Sequence, residues 1–150
     1  MLSMFKKLFI PSDDSDLTSM ALLVTRLWFG LAMLFNHGFD KLGHFKDIVG
    51  NFPDPLGVGQ EASLVMVVMA EVGAALLLAV GFMTRIAAAV LVIDMFVAFL
   101  MVHKAGMSGG ELAFVYLAGY VMLVIAGGGL FSLDTIAFAG TARARVQNRS

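Results

Sequence analysis

The sequence predicts an all-α fold, a four-helix transmembrane bundle with a short interfacial helix in its first loop. Three observations lead there. Hydrophobic residues fill 59% of the 150 positions and charged residues only 14%, against roughly 45–50% and about 25% in soluble domains. A chain this short cannot hide such an excess in its own interior, because small domains leave much of their surface exposed. The apolar residues also gather in four runs near the ~20 residues that a helix needs to cross the hydrocarbon. None of the runs alternates apolar and polar positions, so a strand reading fails.

The expected helices span about 20–39, 62–82, 86–102 and 112–131, within a single domain covering 1–150. Before them, Leu2, Phe5 and Phe9 with Lys6 and Lys7 suggest a short segment lying on the membrane surface. The apolar run there is too short for a secretory signal. Thr18 or Ser19 suits a helix cap. In the long connection from Asp40 to Glu61, Leu42, Phe45, Ile48, Val49 and Phe52 recur at helical spacing, the pattern of an amphipathic interfacial helix. Pro53, Pro55, Gly57 and Gly59 then impose irregular backbone. The turn from Gly81 to Arg85 is so tight that the second and third helices must be antiparallel neighbours. Ser108 and Glu111 have the spacing of a capping box. Gly127-Gly128-Gly129 marks the end of the fourth helix.

Charge sets orientation. Lys6, Lys7, Arg85, Arg143, Arg145 and Arg149 would share one side, and Lys41, Lys46 and Lys104 the other. The excess of cations on the first side places both termini of this multi-pass chain in the cytoplasm. A net charge of −1 gives no basic footprint for nucleic acid. The absence of cysteine excludes disulfides, thiol relays and iron–sulfur clusters within this chain. The bilayer is the first partner implied, and a homo-oligomer is compatible with the composition.

Arg26, Glu71 and Asp94 interrupt the first three apolar runs. Each costs at least ~2.5–3.5 kcal/mol at a mid-membrane position, so such groups face a partner or a polar cavity. Arg26, Gly30, His37 and Lys41 share one face of the first helix at 100° per residue. Ala87, Val90 and Ala98 share the face of Asp94, and the alanines allow close helix approach. Counted from the cytoplasmic ends, Arg26 lies roughly 8–9 Å deep, Asp94 about 12 Å and Glu71 about 16 Å. A long Arg side chain could bridge that band, so the three are expected to converge. One Arg against two carboxylates leaves a negative charge, which a shared proton would neutralise. Two readings stand: ion pairs that hold helices together, or a functional polar pocket in which Arg26, Glu71 and Asp94 act on a substrate.

Further candidates for that pocket are His37, Lys41 and Glu111, with Tyr116 and Tyr120 four residues apart on the fourth helix. Each also has a structural reading: a polar patch with Asp40 and His44, a helix cap, or aromatic packing. His37 and His44 with Asp40 lack a further fixed ligand, so no metal site is expected. His103 and Lys104 suit the C-terminus of the third helix.

Several segments, in order, resemble the DoxX family of small four-helix membrane proteins. They are Arg26 with Phe29-Gly30, Asn36-His37-Gly38 leading to Lys41-Leu42, Glu71-Val72-Gly73, Gly81 with Thr84-Arg85-Ile86-Ala87-Ala88, Gly110-Glu111, and Ser132-Leu133-Asp134. The resemblance covers roughly residues 23–134. It implies a polytopic membrane protein linked to quinone redox chemistry, as in the small subunit of an archaeal thiosulfate:quinone oxidoreductase. No flavin or haem motif is present, so the cofactor implied is a quinone from the membrane and the electrons come from a redox partner subunit rather than from stand-alone catalysis. In this reading Arg26 stabilises a developing oxyanion, and Glu71 or Asp94 exchanges protons with it. Its rivals are a small proton-coupled transporter and a structural or assembly partner with no site.

Overall fold

The structure, a computed structural model, describes residues 15–102 and 107–137. Expectations for the N-terminal segment, for His103 and Lys104, and for Arg143, Arg145 and Arg149 lie outside those residues.

Helix α1 begins at Ser15, runs α-helically to Met33, widens into a π-helical segment over Leu34–Gly38 and resumes as Phe39–Gly43. It is therefore longer at both ends than its apolar run. Ser19 is not a cap: it lies inside the helix, and its hydroxyl accepts a 3.1 Å hydrogen bond from the Leu130 N–H. A short helix, α2, comes next over Phe45–Ile48, with one 3-10 turn at Val49–Asn51. Of the amphipathic pattern, Phe45 and Ile48 fall on this helix and Val49 on the 3-10 turn, while Leu42 stands near the end of α1 and Phe52 follows in the loop.

Helix α3 comprises Gln60–Val68, a π-helical segment Met69–Ala74 and Ala75–Val80. Gly81, at φ 74°, closes it in the left-handed conformation. The Gly81 N–H bonds the Leu78 carbonyl and the Phe82 N–H bonds that of Leu77, the paired closure that leaves few carbonyls orphaned at a helix end. Helix α4, Thr84–Val97, starts after only three residues and ends in a third π-helical segment, Ala98–Val102. Helix α5, Met107–Ala126, stops at the glycines rather than at the end of its apolar run. The Gly127 N–H closes onto the Leu123 carbonyl at 2.8 Å with φ 81°, so the apolar residues beyond it form a loop. Since α5 starts at Met107, Ser108 stands within its first turn, and the Ser108 side chain lies outside the described part.

The helices form a bundle in which α4 packs along α5, α1 along α3, and α3 against α4. Met33, Leu64, Leu78, Leu91, Tyr120 and Leu123 are fully enclosed within it. Close approach relies on glycine. A Cβ on Gly30 would lie 2.9 Å from the Ala75 carbonyl oxygen and 3.0 Å from the Ala79 methyl. The α1 helix Asp16–Gly43 and the α3 helix Gln60–Val80 are each long and apolar enough to cross a bilayer. Outward-facing Trp28, Ile93 and Ile125 are 65–73% exposed, an outer surface suited to lipid.

One end of the bundle is tied by polar groups. Arg26 is completely buried there. Its Nη2 donates to the Phe131 carbonyl at 2.7 Å, and its Nη1 reaches the Ala79 carbonyl at 3.5 Å. The Asp134 carboxylate interacts with it electrostatically while accepting the Met83 and Thr84 N–H groups at 2.6 and 2.9 Å. Asp134 thus caps α4 from a position 50 residues away in sequence. Its own N–H bonds the Gly81 carbonyl at 2.9 Å.

This corrects the expected convergence of Arg26 with Glu71 and Asp94. Side chains on a helix lean toward its N-terminus. Arg26 leans toward the end of α3, where exposed carbonyls receive its guanidinium. Lys41, 15 residues further along and roughly 22 Å away by helical rise, leans back toward the middle of α3 and takes the place expected for Arg26.

Candidate functional site

Toward the other end lies a cavity of about 500 Å³ between α1, α3, α4 and α5, roofed by the loop after α2. Its polar side chains are few and come from separate helices. Lys41 and His37 belong to α1, Glu71 to α3, Asp94 to α4 and Tyr116 to α5. The walls are apolar: Met66, Val67 and Ala70 from α3, Val90, Ile93 and Val97 from α4, and Leu112 and Ala113 from α5. Phe52, Pro53, Pro55 and Leu56 of the loop also line it.

The centre of the polar group is an ion pair. Lys41 Nζ donates to Glu71 Oε1 at 2.8 Å and to Oε2 at 2.7 Å. The Glu71 side chain is only 4% exposed and that of Lys41 22%. Asp94 is within electrostatic reach of both, and its Oδ2 is buried with no hydrogen-bond partner. Buried polar atoms are rarely left so, because an unmade bond costs more than a made one gains.

The backbone explains how these groups meet. His37 stands in the π-helical segment of α1 and Glu71 in that of α3. Val97 and Ala98 of the lining flank the start of the third such segment. A π turn inserts one extra residue and rotates the rest of the helix beyond it, a feature frequent at functional sites. The first two segments pack directly together. A Cβ on Gly38 would lie 2.7 Å from the Glu71 carbonyl oxygen, so only glycine lets α1 come close enough for Lys41 to reach Glu71.

An aromatic cluster backs the site. The His37 ring meets Tyr116 edge-on, with centroids 5.8 Å apart. Tyr116 stacks on Tyr120 at 5.9 Å, and Phe29 packs edge-on against both. Tyr120 itself is fully buried and donates to the Phe29 carbonyl at 3.3 Å.

Above the cavity, Asp54 organises the roof. Its carboxylate accepts the Val58 and Gly59 N–H groups at 3.0 and 2.8 Å and the Ser63 hydroxyl at 2.8 Å. The Ser63 bond first, then that of Gly59, holds the Asp54 carboxyl below the usual carboxylate range. Ser63 also lines the cavity, so the same contact ties the roof to α3.

Of the residues singled out by sequence, the structure brings Glu71, Asp94, His37, Lys41 and Tyr116 into one cavity. Three fall elsewhere. Arg26 serves the opposite end of the bundle. Glu111 is exposed on α5 and does not line the cavity, although its neighbours Leu112 and Ala113 do; its position turns it to the outer face. Tyr120 is in the core, one helical turn behind Tyr116. His44 pairs with Asp40 on the exposed surface, with Nδ1 3.2 Å from Oδ1. The roof residues and Ser63 were not among the site candidates; Phe52, Pro53 and Pro55 stood out in the sequence only for the shape of the connection.

The family model for DoxX matches residues 21–104, more than half of the chain, and this stretch contains Lys41, Glu71 and Asp94. Neither a curated protein nor a solved structure matches the sequence.

Proposed function

The chain belongs to the DoxX family and is an integral membrane protein, and we propose that it is the quinone-binding membrane subunit of a redox system whose electrons come from a partner subunit. One observation carries this reading. A cavity of about 500 Å³, within the ~300–1,000 Å³ usual for small-molecule sites, combines apolar walls with a small convergent set of ionisable side chains. That combination suits an amphiphile with an apolar tail and a compact polar head.

The cavity mouth supports delivery from the bilayer. Met66, Val90, Ile93 and Leu112 line the cavity yet are 41–65% exposed, so they belong to both the lining and the lipid-facing surface. A quinone, when bound, supplies a redox couple whose oxygens gain and lose protons. The chain supplies the rest. Lys41, held by Glu71, presents a cation to a head-group oxygen and favours charge developing there. Glu71 and Asp94 are placed to exchange protons with it. The apolar walls and the loop roof keep water away from the polar centre. In this reading the site opens on the side opposite the termini, which lie in the cytoplasm of a bacterial cell by the distribution of lysine and arginine.

The test is binding of a short-tailed ubiquinone analogue to the full chain in lipid nanodiscs. Lys41→Met and Glu71→Gln are expected to weaken it at least about tenfold, while Glu111→Gln, on the outer face, leaves it unchanged. No binding by the unaltered chain, or equal binding by all three variants, overturns the proposal.

A further inference from the structure

We propose that Asp94 makes the cavity selective for a head group that donates a hydrogen bond, so that it holds a hydroxyl-bearing, reduced ring in preference to the same ring bearing only carbonyl oxygens. This rests on the reading of the cavity as a quinone site and specifies which redox form it favours.

The argument is an inventory of hydrogen-bonding capacity. Glu71 is satisfied, because both its oxygens accept from Lys41. Lys41 directs two of its three N–H bonds to that carboxylate. Among the described residues, three buried side-chain polar atoms lack a partner: Arg26 Nε, Thr84 Oγ1 and Asp94 Oδ2. The first two belong to residues outside the cavity lining; Asp94 is part of it. The buried, unpartnered side-chain atom at this site is therefore a carboxyl oxygen, which in its ionised form can only accept.

The two redox forms of one ring differ in this property. A carbonyl oxygen has no proton to give and would oppose one acceptor to another. A hydroxyl donates, and a bond to an ionised acceptor is stronger than a neutral one. Discrimination by a buried group that one ligand satisfies and another leaves unpaired is steep in well-enclosed sites. Val90, Ile93 and Val97 on the same helix are apolar, as are Met66, Val67 and Ala70 opposite. Competing donors among the lining residues near Asp94 are thus limited to Lys41, His37, Ser63 and Tyr116 on the other helices. Asp94 is flanked on its own helix by apolar side chains and faces Glu71 and Lys41 across the cavity, and its buried, unpaired oxygen gains from a ligand's proton.

The experiment compares three probes with the same ring and alkyl tail: a hydroquinone, its quinone, and its dimethyl ether. Each is titrated calorimetrically into the full chain in nanodiscs under reducing or anaerobic conditions suited to its redox form. The hydroquinone is expected to bind at least about tenfold more tightly than the other two. It should also shift the carboxylate stretch of Asp94 in infrared difference spectra, a band assigned by its loss in Asp94→Asn. Asp94→Leu should remove the preference, and Asp94→Asn, whose amide oxygen still accepts, should keep part of it. Equal affinity for hydroquinone and quinone, tighter quinone binding, or a preference that survives in Asp94→Leu overturns this inference and leaves the quinone site standing. If none of the probes binds, both proposals fall.

Discussion

Lys41 Nζ lies 2.8 and 2.7 Å from the two carboxylate oxygens of Glu71, so a single ammonium spans both. The pair joins α1 to α3 across 30 residues of sequence. It also places an ammonium group beside the cavity.

Breaking this pair on one side should cost more than removing it. Lys41→Met leaves Glu71 charged and enclosed, which is expected to destabilise the bundle by about 3 kcal/mol. Lys41→Met with Glu71→Leu should recover most of that loss, because no uncompensated charge remains. Thermal unfolding in detergent of the two single variants and the double variant checks this. Additive losses would show that the two side chains act independently.

Arg26 should behave as a stabilising residue with no part in the cavity. Arg26→Leu removes a charge-assisted bond to the Phe131 carbonyl and leaves Asp134 without its buried cation. A loss of about 2–3 kcal/mol is expected. Folded Arg26→Leu protein should still bind quinone analogues with the affinity of the unaltered chain, as measured by the same nanodisc titration.

Two glycines of the π-helical segments should respond oppositely to alanine. At Gly38 a methyl would meet the Glu71 carbonyl at 2.7 Å and the Val72 side chain at 2.9 Å. Gly38→Ala is expected to cost about 1–3 kcal/mol through overpacking and to weaken ligand binding by displacing Lys41 from Glu71. Around Gly73 nothing lies within 4 Å of the added carbon. Gly73→Ala should be neutral or stabilise by about 0.4–1 kcal/mol through loss of unfolded-chain freedom. Melting temperatures of the two variants separate these outcomes.

The Asp54 roof contact should fade in acid. Bonds from Ser63 and Gly59 hold the folded carboxyl below its ordinary value, so it binds its proton more weakly folded than unfolded. Its contribution is fully present above the unfolded pKa of about 3.9 and is lost as pH falls through the folded value. The stability advantage of the unaltered chain over Asp54→Ala should be constant at neutral pH and shrink below about pH 4. Denaturation at a series of pH values measures it.

The elements of the bundle were legible because hydrophobic run length and glycine punctuation act locally. Gly81 and Gly127 mark helix ends in the sequence, and their backbone conformations bear that out. The cavity was legible in part. Ionisable residues inside apolar runs stand out, and Glu71, Asp94, His37 and Lys41 are all there. Pairing was not legible. Arg26 turns its two terminal nitrogens to backbone carbonyls, which every residue carries and no sequence pattern distinguishes. Equal phase on one helix face also hid a separation of roughly 22 Å along the axis between Arg26 and Lys41. The π-helical segments left no mark either, since an extra residue per turn changes the register of later residues without changing composition.

The two ends of the molecule are therefore mechanically unlike. Where Arg26 and Asp134 gather α1, α3, α4 and the chain after α5, several hydrogen bonds hold the helices at once, and one of them, from the Asp134 N–H to the Gly81 carbonyl, joins main chain to main chain. Where Lys41 meets Glu71, a single flexible stem does the joining. Such a bundle is built like a pair of tongs, with a pivot of many bonds and a jaw held by one clasp.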